Sequence, residues 1–203
     1  MRSDVRKIGI ILSPLVAVLL LVWALASCAT TITPRATLSD PVEVFVVDHG
    51  RTTSLVVPAT DGKLHRYAYG DWDWYALGRH GFWQGTKALL WPTQGALGRG
   101  LLDGPATIEN VRRQVPEPEE ILWVPVERAR LVAFETRMQA LYDSGRDSEV
   151  SNPDVGMSFV RHPQAYTVFR NSNHAVASWL RELGNTTRGF SFGANWRVAT
   201  AED

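Results

Sequence analysis

Apolar positions along the chain fall mostly into short continuous runs, with helical spacing at only a few places. Glu43 to Val47 and Ser54 to Val57 are valine-rich runs separated by a segment containing Asp48-His49-Gly50. Two such runs joined by a short Asp/Gly connection predict an antiparallel strand pair. After the turn-forming Asp61-Gly62, Leu64 to Tyr69 alternates enough to predict a third strand, ending at Gly70-Asp71. Ile121 to Val126, Met157 to Val160 and Ala165 to Phe169 read as further strands. Leu131, Phe134, Met138, Leu141 and Tyr142 lie on one face of a helix from about Arg128 to Asp143. A second stripe, Val176, Trp179, Leu180 and Leu183, recurs at i, i+3, i+4 and i+7. Asn171-Ser172-Asn173 supplies capping side chains at the start of that helix, and Gly184 suits its left-handed end. The class that fits is α+β, an antiparallel sheet with helices on one side.

The remaining segments are less regular. Trp72, Trp74, Tyr75, Phe82, Trp83 and Trp91 crowd one region. Large rings of this kind either fill a core or line a ligand cleft. Thr86 to Trp91 predicts a short helix stopped by Pro92. Gly95 to Gly100 lacks both the spacing and the GK(S/T) ending of a phosphate loop and reads as a flexible loop. Phe190, Phe192 and Trp196 predict a final strand or a packed tail.

The N-terminal part has its own pattern. Arg2, Arg6 and Lys7 precede an almost wholly apolar run from Ile8 to Ala26, which suits either a membrane span or the core of a secretory signal. Leu25-Ala26-Ser27-Cys28 resembles the lipobox of bacterial lipoproteins, and Cys28 is the chain's single cysteine. That resemblance implies cleavage after residue 27, lipidation of Cys28 and a membrane partner; Ala29 in the next position implies sorting to the periplasmic face of an outer membrane. A lipidated single cysteine leaves none for disulfides, metal or catalysis. Residues 28–40, rich in Thr, Ser and Pro, read as a tether, and 41–203 as one folded domain.

Charge narrows the partners. The whole chain carries 21 basic and 21 acidic side chains; removing Arg2, Arg6, Lys7 and Asp4 with residues 1–27 leaves 18 against 20. No basic excess supports nucleic-acid binding. The five histidines, His49, His65, His80, His162 and His174, show no metal-binding spacing, so neither a metal nor a cofactor is expected.

Ser172 is the candidate nucleophile. It falls on the apolar stripe one turn before Val176, at a helix N-terminus whose dipole favours negative charge. A hydroxyl at a helix end still needs a positioned base, and capping an amide is the plainer role.

Two separated motifs carry a family resemblance. Val46 to Pro58 resembles the segment G-x-H-T/S-x-L-V-x-P of an uncharacterised group of bacterial envelope proteins, and Asn171-Ser172-Asn173 resembles its x-C-N segment. Gly70-Asp71 with the aromatics after it resembles a G-D-x-x-(F/Y) element between them. That group is similar to the permuted, NlpC-type branch of papain-like amidases and peptidases, in which a strand histidine precedes a cysteine helix. The resemblance implies a permuted papain-like domain, from about Val42 to Gly184, with Ser172 in the cysteine position and Thr52 in the histidine position. Of the reacting groups the resemblance implies, only Asp71, an orienting residue, is kept. Three readings follow. One is a non-catalytic domain binding a cell-wall peptide or glycan or an envelope protein; the second is a serine hydrolase using Ser172, Asp71 and a rescue base, His49; the third is a structural lipoprotein whose cleft is filled by its own aromatics, with no open pocket near Ser172. His174, two residues along the helix, should point away from Ser172.

Overall fold

In the computed structural model, the described residues are 29–79 and 91–199, together with Val16. Apart from Val16, the expected signal segment lies outside them, as do Cys28, His80, Phe82, Trp83 and residues 86–90 of the expected short helix.

The described chain folds in the order β1 (Thr30–Thr33), β2 (Pro41–Asp48), β3 (Thr53–Pro58), β4 (Leu64–Asp71), β5 (Gly95–Leu102), α1 (Ile108–Gln114), β6 (Glu120–Glu127), α2 (Arg128–Ser144), β7 (Val150–Asn152), β8 (Met157–Arg161), α3 (Ser172–Glu182), β9 (Thr186–Arg188) and β10 (Trp196–Val198). Seven strands form one sheet in the order β6-β2-β3-β4-β5-β8-β7, antiparallel throughout. β1 lies in a second, three-stranded sheet, parallel to β10 and antiparallel to β9.

Both faces of the large sheet are covered, which explains why its strands read as continuous apolar runs. Along β2, Val44 and Val46 point to one face and Phe45 and Val47 to the other, all of them fully buried. On the first face Leu55, Tyr67, Leu97 and Val160 pack under Phe134 and Met138 of α2 and Val176 and Leu180 of α3. The second face carries two smaller clusters. Phe45, Val47, Val56 and Leu64 meet Val111 of α1, and Ala96, Met157 and Phe159 meet Trp72 and Ala76 of a single π-helical turn, Trp72–Ala76. Helices therefore flank the sheet on both sides, not one as the sequence pattern suggests.

Three segments depart from expectation. Residues 30–33 do not behave as a tether. Thr30 and Ile32 are buried, and Ile32 joins the core beside Trp196 and α3; the β-branched run Thr-Thr-Ile-Thr favours a strand. Gly95 to Gly100 belongs to strand β5 rather than a flexible loop, because a Cβ at Gly98 would lie 2.5 Å from the Phe159 ring and one at Gly95 2.3 Å from the Gln164 carbonyl. Close packing, not looseness, requires glycine there. Ala165 to Phe169 makes only isolated bridges, Thr93 with Tyr166 and Thr167 with Arg170, and Phe169 projects into solvent.

Candidate functional site

Helix α3 starts where the sequence places it. Asn171 is the cap: its Oδ1 accepts the His174 amide at 3.0 Å. Ser172 is the first helical residue and is buried. Its Oγ accepts the Thr53 amide of β3 at 3.4 Å, so it serves a neighbouring strand rather than capping its own helix. Beside it the Thr53 hydroxyl donates to Asn173 Oδ1 at 2.7 Å and accepts from Trp196 Nε1 at 2.8 Å. Asn173 Nδ2 donates to the carbonyls of Arg51 and Phe192. This network pins the start of α3 to the start of β3, and brings residue 52 toward residue 172.

Ser172, Thr52 and His49 line one cavity of about 340 Å³. The cavity extends over the second face of the sheet, between the Phe45–Val111 and Trp72–Phe159 clusters, with Ser54, Arg66 and Ala68 among its walls. Tyr75 closes one side. Burial raises the pKa of its phenol, and a hydrogen bond with Thr52 opposes that shift.

The proposed catalytic partners do not assemble. Among the described residues, no imidazole nitrogen hydrogen-bonds Ser172 Oγ. His49 Nε2 faces Ser54 Oγ at 3.1 Å and a guanidinium nitrogen of Arg66 at 3.1 Å. A guanidinium has no lone pair to offer, so Nε2 is the acceptor and the ring is neutral. Burial, reinforced by the Arg66 charge, lowers the His49 pKa to about 4. Asp71 is occupied elsewhere: Oδ1 accepts the Trp74 amide at 2.8 Å, capping the Trp72–Ala76 turn, and Oδ2 accepts the Thr93 hydroxyl at 2.5 Å. It orients no histidine among the described residues.

The other described histidines have separate places. His174 turns away as its helical position requires; Nδ1 meets Asn171 Oδ1 at 2.9 Å and the ring packs on Phe192. His65 sits between Asp61 and Glu135, at 3.0 and 2.9 Å. Burial opposes its charge, but these two carboxylates prevail and raise its pKa. His162 packs against Tyr69. No group of three or more His, Cys, Asp or Glu suited to a metal occurs among the described residues.

Arg66 was not legible as a site residue. In Leu64-His65-Arg66-Tyr67 an arginine reads as the solvent face of an alternating strand. The available signal was the neighbouring strand: Ser54-Leu-Val-Val57 is apolar enough to be covered on both faces, and so, by register, is the strand beside it.

These features define an α+β protein with a large antiparallel sheet and a cavity beside the start of α3. Comparison with protein-family models, with curated proteins and with solved structures returned no match.

Proposed function

We propose that this chain is a lipid-anchored cell-envelope protein whose domain resembles the permuted papain-like amidases but binds a ligand instead of hydrolysing one. The observation that carries this reading is the shared cavity. Thr52 and Ser172, the residues in the histidine and cysteine positions of the resemblance, line the same cavity. Neither accepts a proton near neutral pH, and acyl transfer needs a base within hydrogen-bond reach of the nucleophile. The serine-hydrolase alternative has no comparable support, since the His49 Nε2 lone pair points to Arg66 and Ser54.

Restoring both reacting groups tests the reading. The double substitution Thr52→His with Ser172→Cys should create hydrolysis of peptide amides where the wild type has none. An inert double variant counts against the papain-like geometry. Hydrolysis by the wild type that disappears in Ser172→Ala defeats the non-catalytic half. The anchor is tested separately: Cys28→Ala should leave an uncleaved precursor in the membrane fraction, and normal processing of that variant would remove the lipoprotein assignment.

A further inference from the structure

Arg66 is the charged group that this reading leaves without a purpose. It lies on the second face of β4, in the middle of the sheet, and is only 6% exposed. Its three bonded partners are all neutral: Nε donates to Ser54 Oγ at 3.0 Å, one terminal nitrogen to the Val155 carbonyl at 2.9 Å, and the other to His49 Nε2 at 3.1 Å. Among the described residues no carboxylate pairs with it within 4.0 Å. A guanidinium has five N–H donors, so about two remain free. Burial without a counter-charge lowers the Arg66 pKa to about 10, which leaves it cationic at neutral pH. A buried cation held only by neutral groups is unfavourable unless an anion completes its surroundings.

The cavity supplies room for that anion. Tyr75, Met157 and Phe159 furnish apolar wall, while the hydroxyls of Thr52 and Ser172 lie at the α3 end. Glu117 and Asp154 are exposed lining residues, and neither forms an ion pair among the described residues. Two acidic groups lining the same cavity as one guanidinium disfavour a dianion, and a single negative charge on a small, partly apolar molecule suits the lining better. The volume of about 340 Å³ is at the small end of ligand pockets.

We propose that the cavity binds the carboxylate end of a small peptide or amino acid, with Arg66 as the carboxylate's partner. The inference rests on the binding function above and gives its ligand a chemical class.

Titration calorimetry on the full-length chain in neutral detergent at pH 7 tests it with three probes: alanyl-alanine, its C-terminal amide and inorganic phosphate. The free dipeptide should bind, with the amide and phosphate each at least tenfold weaker. Arg66→Gln should weaken dipeptide binding at least tenfold. Ala68→Leu, which fills the cavity and changes no charge, should abolish it, and it carries the test if circular dichroism shows that Arg66→Gln does not fold. Equal affinity for dipeptide and amide, tighter binding of phosphate, absence of dipeptide binding up to millimolar concentration, or unchanged affinity in a folded variant would each overturn the proposal. Chromatography of the titrated samples separates the two inferences. Cleavage of bound dipeptide defeats the non-catalytic reading and leaves the carboxylate site standing, whereas neither binding nor cleavage removes the site alone.

Discussion

The two faces of the seven-stranded sheet are built to different standards. On the first, α2 and α3 lay long side chains over β2 to β5, and Tyr67, Phe134, Met138 and Leu180 are sealed from water. Among the described residues the second is covered in two patches, by α1 at one end and the Trp72–Ala76 turn at the other, with a cavity between them lined by Arg66 and Ser54. The same strands supply both faces, so the difference lies in what was placed over them. A filled face holds the fold together. The other face, as far as the described residues cover it, leaves a cavity with a buried charge among its walls, which is where the proposed ligand would sit.

Substitutions that treat the faces alike should have unlike effects. The largest is expected from Phe134→Ala, which removes a fully buried ring packed between Tyr67 and Trp179. Chemical denaturation should show a loss of about 3–5 kcal/mol, in line with large-to-small changes in sealed cores. A loss below about 1 kcal/mol would mean that the first face is looser than described. Matched enlargements sharpen the contrast. Ala177→Leu, forced into the packed face, should destabilise by about 1–3 kcal/mol, whereas Ala68→Leu, pointing into the cavity, should cost less than about 0.5 kcal/mol. Equal costs at the two sites would erase the distinction between the faces.

A pH dependence on the cavity side tests the same contrast by another route. His49 titrates near 4 in the folded protein and near 6.5 when unfolded, so the unfolded chain takes up the proton first and stability falls as pH drops from about 6.5 to 4. Asp48 has the opposite sign. Burial raises its pKa to about 6, with the Gly50 amide opposing and Glu119 and Glu120 adding to the rise, so the folded state holds the proton more tightly and stability falls as pH rises from about 4 to 6. The two slopes oppose one another. His49→Gln should remove an acid-side loss on the order of 3 kcal/mol, leaving a protein that gains stability between pH 6 and 4 relative to the wild type. Denaturation midpoints across that range check it, and identical profiles for the two proteins would contradict the buried, neutral His49.

Much of the architecture was legible because its cause is local. Helices over 128–143 and at 171–184 follow from apolar stripes and caps, and the pairs β2–β3 and β3–β4 from apolar runs around Asp/Gly turns. The three glycines of β5 misled because glycine signals looseness in a sequence, while here close neighbours exclude a Cβ. Ser172 and Thr52 could be brought together through the motif resemblance, and they do line one cavity. Asp71 could not be placed: its partners, Trp74 and Thr93, belong to a turn and a distant bridge that no periodicity marks. Arg66 escaped notice because its burial depends on Gly100 and Val155, more than thirty residues away, and long-range packing leaves no trace in the spacing of one strand.

Strand β1 has a mechanical consequence. The Thr30 amide donates to the Asn195 carbonyl at 2.7 Å, and the Ala29 carbonyl sits so close to Gly189 that a Cβ there would approach it to 2.5 Å. One residue therefore separates position 28 from a three-stranded sheet, and one residue of extended chain spans only about 3.5 Å. With an acyl group on Cys28, the domain would have no leash. The small sheet, which begins at Thr30, would then be held close to the membrane surface. A ligand would be met at the membrane surface, where a tethered domain could instead have searched the space beyond.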